Sequence, residues 1–261
     1  MKFAKKSLGQ NFLIDKNIIK KIINLTNVYK RNVLEIGPGL GALTDEILDR
    51  NPNRLYIVEK DYNLAKKLKE KYSETKKIKV FNNDILDFEI EKVLPDDSVI
   101  FGNLPYNISS QILVKILKFA KWPPKYKDLI FMFQKEVGKK IIGKFPSKNY
   151  GRLSILTNYK LSILESFSVS PNCFTPKPKI NSMVIHFRPK NNISCRIKNI
   201  EKLEKVTNIM FSNKRKMINK NIIRLLSKDQ IKKIKEINLK SRPTEIRPET
   251  YYKITELYQK N

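Results

Sequence analysis

The residues best suited to chemistry in this 261-residue chain sit where predicted strands end. Glu35-Ile36-Gly37-Pro38-Gly39-Leu40-Gly41 follows a β-rich run and precedes a stretch with helical spacing. Glycines there let backbone approach a ligand closely, and a helix N-terminus offers free N–H groups. The segment is ambiguous by itself. Gly37-x-Gly39-x-x-Ala42 also satisfies a dinucleotide fingerprint, with Glu59 as the acid that follows. Glu59 ends the second strand and can accept from two ribose hydroxyls in either case. Asp84, in Asn82-Asn83-Asp84-Ile85 after the third strand, is placed to accept from an adenine amino group. Asn103-Leu104-Pro105-Tyr106 follows the fourth. The Asn103 side-chain oxygen and the Leu104 carbonyl are two acceptors that can grip both hydrogens of a planar exocyclic amine. Pro105 lacks an N–H and fixes the turn. Tyr106 offers a ring on which a base can stack. A hydride-transferring enzyme has no need of this set.

The elements that must hold these residues alternate. Strands are predicted at Asn32–Ile36, Arg54–Val58, Ile78–Phe81, Ser98–Phe101 and Leu129–Phe133, with helices at 40–49, 62–72 and 108–120. The run 129–133 is apolar throughout, as expected of a strand buried on both faces. Such alternation argues for an α/β fold: a Rossmann-like, doubly wound, mostly parallel seven-stranded sheet. Leu161–Val169 and Ser182–Phe187 flank a Pro-rich loop, Pro171–Pro178, with no room for a long helix, so an antiparallel pair is expected at one side. Beyond a linker at Arg188–Asn192 only helical patterns follow, at 200–212, 215–227, 229–237 and 249–260. The expected organisation is a ligand-binding catalytic domain over 1–190, with a basic N-terminal segment 1–30, and a small basic helical domain over 191–261.

Composition removes other classes. Cys173 and Cys195 make no disulfide framework, and with one histidine they cannot build a His/Cys metal site, so no metal is expected. His186 lies inside an apolar strand, a poor place for a triad base. No apolar run reaches the roughly 18 residues that cross a bilayer, so no membrane partner is expected. The N-terminus has no apolar core or cleavage site, which reads as cytoplasmic. Lys and Arg total 53 against 25 Asp and Glu, a net charge of +28. Only ten of those cations are Arg, as A/T-rich codons would give, but codon drift does not explain an excess of cations over anions. Nor is the charge uniform: +6 over 1–30, −2 over 31–109, +13 over 110–195 and +11 over 196–261. A near-neutral block inside a basic chain points to a polyanionic partner, nucleic acid first.

Taken together, the glycine loop, Glu59, Asp84 and Asn103–Tyr106 resemble the class I S-adenosylmethionine-dependent methyltransferases that modify exocyclic amines. More narrowly, the chain resembles the ribosomal RNA adenine dimethyltransferases. Ser7-Leu8-Gly9-Gln10-Asn11-Phe12-Leu13, Phe133–Val137, Phe174–Ser182 and Arg242–Ile246 resemble that family's N-terminal, fifth-strand, target-base and C-terminal motifs. Gly9, Leu104 and Arg242-Pro243 resemble its housekeeping small-subunit branch rather than the branch that methylates large-subunit RNA and confers antibiotic resistance. The resemblance implies S-adenosylmethionine as cofactor. Gln10, Asn11 and Leu13 would close one side, Gly37, Gly39 and Gly41 would pass beneath the methionine part, and Glu35 and Asn103 would also contact the cofactor. Glu59 would take the ribose with Lys60 flanking, and Asp84 the adenine amine with Ile85 against the ring. Tyr106 and Phe174 would sandwich the target base, Phe174 from an exposed loop. Lys177, Lys179, Lys214, Arg215, Lys216 and Lys220 are candidate phosphate contacts. The implied substrate is two adjacent adenosines in the terminal hairpin of small-subunit RNA, within an immature small ribosomal subunit, and the chain is expected to act as a monomer. Competing readings are the large-subunit enzyme, a DNA adenine methyltransferase, an NAD-linked enzyme and a non-catalytic assembly factor on the same fold.

Overall fold

The computed structural model describes residues 10–193, 197–235 and 237–260. Ser7, Leu8 and Gly9 of the N-terminal motif, and Cys195, lie outside them. In chain order the elements are β1 (Phe12–Leu13), α1 (Lys16–Ile23), β2 (Asn32–Ile36), α2 (Ala42–Asp49), β3 (Arg54–Glu59), α3 (Tyr62–Lys71), β4 (Ile78–Asn82), α4 (Ile90–Val93), β5 (Ser98–Asn103) and α5 (Ser109–Leu117). There follow β6 (Tyr126–Gln134), α6 (Lys135–Ile142), α7 (Arg152–Lys160), β7 (Leu161–Val169), β8 (Phe174–Thr175), β9 (Ser182–Pro189), α8 (Ile200–Met210), α9 (Asn219–Ile222), α10 (Lys228–Lys232) and α11 (Pro248–Tyr258).

The chain divides into two compact units, Met1–Lys115 with Lys121–Gly138 and Ser162–Pro189, and Ile116–Ala120 with Lys139–Leu161 and Lys190–Asn261. A single cut after residue 190 therefore misses two earlier segments that belong with the helical tail. The reason is local. Helix α7 buries Ser154, Ile155, Leu156, Thr157, Tyr159 and Lys160, and the Tyr252 hydroxyl of α11 donates to the Ile155 carbonyl at 3.1 Å.

In the first unit the sheet order is β4-β3-β2-β5-β6-β9-β7. Strands β2 to β6 pair in parallel, and β9 runs antiparallel to β6 with Phe131 opposite Ile185. Leu34, Ile36, Ile57, Ile100, Phe101 and Leu129–Phe133 are almost wholly covered, because packing on both faces leaves a central parallel strand no wet side. From β2 the order proceeds to β3 on one side and to β5 on the other. That is the switch point at which doubly wound sheets bind ligands, beyond the carboxyl ends of their strands. Asp128, near the start of β6, stands at the other end of the sheet. It accepts from Thr26 Oγ1 at 2.9 Å, Arg31 Nη1 at 3.1 Å and Arg188 Nη2 at 3.0 Å, and lies 2.8 Å from His186 Nε2. His186 is thus a buried structural partner.

The second unit is helical, with shorter helices than the periodicity predicts. Among the described residues of 215–237, the α-helical stretches are Asn219–Ile222 and Lys228–Lys232. Tertiary hydrogen bonds hold the preceding turns instead: Ile218 N–H donates to Ser241 O at 3.0 Å and the Asn221 amide to Met210 O at 3.1 Å. Among the described residues no helix is long and apolar enough to cross a membrane.

Candidate active site

Helix α2 starts at Ala42 rather than Leu40, because Gly37, Gly39 and Gly41 all take positive φ (66°, 61° and 87°). The loop they form floors a cavity at the switch point. Gln10, Asn11, Leu13, Glu35, Gly37, Gly39, Glu59, Lys60, Asp84, Ile85 and Asn103–Tyr106 all line it. A Cβ at Gly39 would come within 2.7 Å of the Phe12 ring, so a bare backbone is required there. Gly41 is different. It does not line the cavity, and its Cβ would lie 2.6 Å from the Tyr72 hydroxyl, so its smallness serves packing of α2 against α3.

Three carboxylates face this cavity with different electrostatics. Glu35 is 1% exposed, and Thr44 Oγ1 donates to its Oε2 at 2.6 Å, while Oε1 has no partner. Burial pushes its pKa up to about 8 against the opposing hydrogen bond from Thr44. Glu59 is held by two backbone donors, Asp61 N–H on Oε1 at 2.8 Å and Gly39 N–H on Oε2 at 3.4 Å. Burial raises Glu59 above the ordinary range, more than these hydrogen bonds lower it. For Asp84, burial works to raise the carboxyl, but hydrogen bonds from Lys60 and from Leu86 N–H outweigh it and hold the group low. Lys60 Nζ lies 2.5 Å from Asp84 Oδ2, and Leu86 N–H donates to Oδ1 at 2.9 Å.

At the cavity's other end, β5 delivers Asn103. Its Nδ2 donates to the Asn11 carbonyl at 3.1 Å, which leaves Oδ1 as the amide's acceptor. Tyr106 is half-buried, and its hydroxyl is 2.6 Å from Ser182 Oγ at the start of β9. Ser182 carries no role legible in the sequence beyond ending the Phe174–Ser182 motif, and in the fold it tethers the Tyr106 ring. Thr44, Asp61 and Phe12 are further supports that the sequence does not reveal. Asp61 caps α3, donates its N–H to Glu59 and accepts from Gln10 Nε2 at 3.4 Å.

Phe174 departs from expectation. It is not on an exposed loop: it is 3% exposed, packed in the core and outside the cavity lining. The Pro-rich run misleads because Phe174 and Thr175 form strand β8, which pairs with β1 and turns the ring inward. The cations Lys177 and Lys179 in the first unit, and Lys214, Arg215, Lys216 and Lys220 in the second, are all exposed.

The cavity fits a nucleoside that carries an amino-acid arm. A buried carboxylate oxygen without a partner, Glu35 Oε1, calls for a cationic donor such as an α-ammonium. Glu59 suits a ribose diol, and the loop at Gly39 leaves room for backbone contact alone.

An open switch-point sheet with this cavity, and an Asn-x-Pro-Tyr turn on its rim, defines a Rossmann-like methyltransferase fold. The solved structures agree on the fold. A dimethyladenosine transferase from Plasmodium falciparum superposes with a TM-score of 0.75 at 23% identity, covering 93% of this chain and 95% of that one. The 23S rRNA methyltransferase ErmE does so with 0.70 at 25%, covering 95% and 100%. Residues 1–260 match the family described as Ribosomal RNA adenine dimethylase. The Ribosomal RNA small subunit methyltransferase A of Pelagibacter ubique is 44% identical, over 98% of this chain and 97% of that protein. That of Malacoplasma penetrans is 38% identical, over 97% and 91%. The chain belongs to the ribosomal RNA adenine dimethylase family.

Proposed function

We propose that the chain transfers methyl groups from S-adenosylmethionine to the exocyclic 6-amino groups of two adjacent adenosines in the 3′-terminal hairpin of small-subunit (16S) rRNA, giving dimethyladenosines. It acts in the cytoplasm as a monomer, on the immature small ribosomal subunit. The observation that carries this reading is the pairing of a nucleoside cavity with Asn103-Leu104-Pro105-Tyr106 on its rim. The small-subunit relatives support the RNA class over large-subunit RNA.

When bound, the cofactor supplies an electrophilic methyl group on a sulfonium. The protein does the rest. Glu35 holds the ammonium, Glu59 the ribose diol and Asp84 the adenine amine, with Ile85 against the ring; Gln10, Asn11 and Leu13 close the near side. At the acceptor, Asn103 Oδ1 and the Leu104 carbonyl each take one hydrogen of the target amine. That favours a pyramidal nitrogen with its lone pair directed at the methyl. No strong base is required, because the amine becomes acidic once alkylated. The gain is in proximity and orientation. Tyr106 stacks the extruded base, with its ring angle fixed through Ser182. In the second transfer the amine has one hydrogen left, so one acceptor loses its partner. Lys177, Lys179, Lys214, Arg215, Lys216 and Lys220 contact phosphates.

The test compares labelled methyl transfer to immature small subunits, large-subunit RNA and duplex DNA, with mass analysis of small-subunit rRNA from cells lacking the protein. Dimethyladenosine missing from the terminal hairpin supports the proposal. Transfer confined to large-subunit RNA or DNA overturns it, as does tight particle binding without any transfer. Asn103→Ala abolishes transfer while cofactor binding survives, and particle affinity falls steeply with salt.

A further inference from the structure

The orientation of the Asn103 amide is imposed by the N-terminal segment. An amide can present either end to the acceptor amine, and only the oxygen end attracts it. Here Nδ2 is committed to the Asn11 carbonyl at 3.1 Å, so the amide cannot flip without losing that bond. The carbonyl is itself immobilised. Phe12 and Leu13 pair with Thr175 and Phe174, and Ile14 N–H donates to Cys173 O at 2.9 Å. The Phe12 ring is 6% exposed and so close to Gly39 that a Cβ there would lie 2.7 Å from it. The segment thus touches the cofactor loop, the acceptor-gripping side chain and strand β8 together.

We propose that the main-chain carbonyl of Asn11 is a positioning group for methyl transfer: it fixes the Asn103 amide with its oxygen toward the acceptor amine, and so makes position 103 demand a donor as well as an acceptor. The inference rests on the reading that Asn103 grips the target amine. Its chemical consequence is specific. Asparagine and ionised aspartate offer the same acceptor oxygen, yet a carboxylate has nothing to donate to Asn11, and its second oxygen would face the carbonyl oxygen with like partial charge. A protonated carboxyl restores both functions, with the hydroxyl donating to Asn11 and the C=O accepting from the amine.

The test is the pH profile of Asn103→Asp against wild type, on whichever adenine-containing RNA the wild type methylates best. At pH 7.5 transfer by the variant is lower by at least about tenfold, while S-adenosylhomocysteine binds within about threefold of wild type. The ratio of variant to wild-type rate then rises at least about fivefold as pH falls to 5.5, because protonation restores the donor. Near-wild-type transfer at pH 7.5, or a ratio that stays flat or falls in acid, overturns the proposal. Melting curves and product-analogue binding report whether the variant is folded. Phe12→Ala gives a second reading that does not alter residue 103. It lowers kcat by about tenfold with little change in KM for RNA, and Phe12→Leu restores most of it; an unchanged kcat for Phe12→Ala overturns the proposal. A wild type that methylates some other RNA sinks the proposed substrate and leaves this ratio measurable.

Discussion

Lys60 Nζ lies 2.5 Å from Asp84 Oδ2, so the carboxylate expected to receive an adenine amine already has a partner. The lysine is well exposed and can yield. Asp84→Ala therefore weakens S-adenosylhomocysteine binding by about tenfold, the scale of a hydrogen bond to a charged group. Lys60→Met removes a competitor and shifts affinity by less than about threefold. Calorimetric titration of both variants decides. An equal loss in the two would mean that the ion pair, rather than the carboxylate, holds the adenine.

Glu35 gives a pH signature. Its carboxyl is raised by burial to about 8, so the folded protein prefers the protonated form. The stability this confers is fully present below the ordinary carboxyl pKa near 4.3 and is lost as pH rises through the folded value. Glu35→Gln should therefore gain stability over wild type between pH 5 and 8, by about 1 kcal/mol or more at the upper end. An incoming ammonium favours the carboxylate, so cofactor binding near pH 7 releases a proton in wild type and none in the variant. Calorimetry in buffers of different ionisation enthalpy reads this directly; identical proton counts would refute it.

Asp128 behaves in the opposite sense. Burial works to raise its carboxyl, but hydrogen bonds with His186, Arg188, Arg31 and Thr26 prevail and hold it far below the usual range. The stability it adds is present above the unfolded value near 3.9 and is lost as pH falls through the folded one. Asp128→Asn takes the buried carboxylate away from Arg31 and from the more exposed Arg188 and destabilises by about 1–3 kcal/mol at pH 7. Its melting temperature also falls less than that of wild type between pH 5 and 3. A parallel decline in the two would remove Asp128 from acid unfolding.

The glycines separate stability from binding. Gly41→Ala meets the Tyr72 hydroxyl and a φ of 87°, away from the cavity. It costs roughly 1–3 kcal/mol of stability, while the folded fraction binds cofactor normally. Gly39→Ala drives a methyl into Phe12, so it loses transfer and cofactor affinity together. Denaturant melts beside binding isotherms distinguish the two. Equal binding by both variants would refute the contrast.

The parallel core was legible because its strands are apolar runs that end in glycine, acid or Asn-x-Pro, and those endings are also the site. Helix α7 was not, since burial of Ser154 to Thr157 and of Tyr159 and Lys160 erases the one-sided pattern that betrays a helix. Helix α1 was legible in principle. Asp15 caps it and Ile19, Ile22 and Ile23 share a face, but the segment reads first as a basic arm. Phe174 was misplaced because prolines signal a loop, whereas its partner strand lies more than 150 residues away at Phe12–Leu13. Gly41 shows the converse. Its place in a binding motif was plain, but its contact with Tyr72 depends on how two helices pack.

The tie between Tyr106 and Ser182 also has a consequence for synthesis of the chain. The residues that line the cavity are all encoded before residue 109, whereas Ser182, which steadies the Tyr106 ring, arrives with β9, which inserts between β6 and β7. The near wall of the cavity, Gln10 to Leu13, is nevertheless fixed no earlier, because Phe12–Leu13 pairs with Phe174–Thr175. On the proposed roles, ligand retention and methyl acceptance therefore both wait on residues 173–182 of the emerging polypeptide.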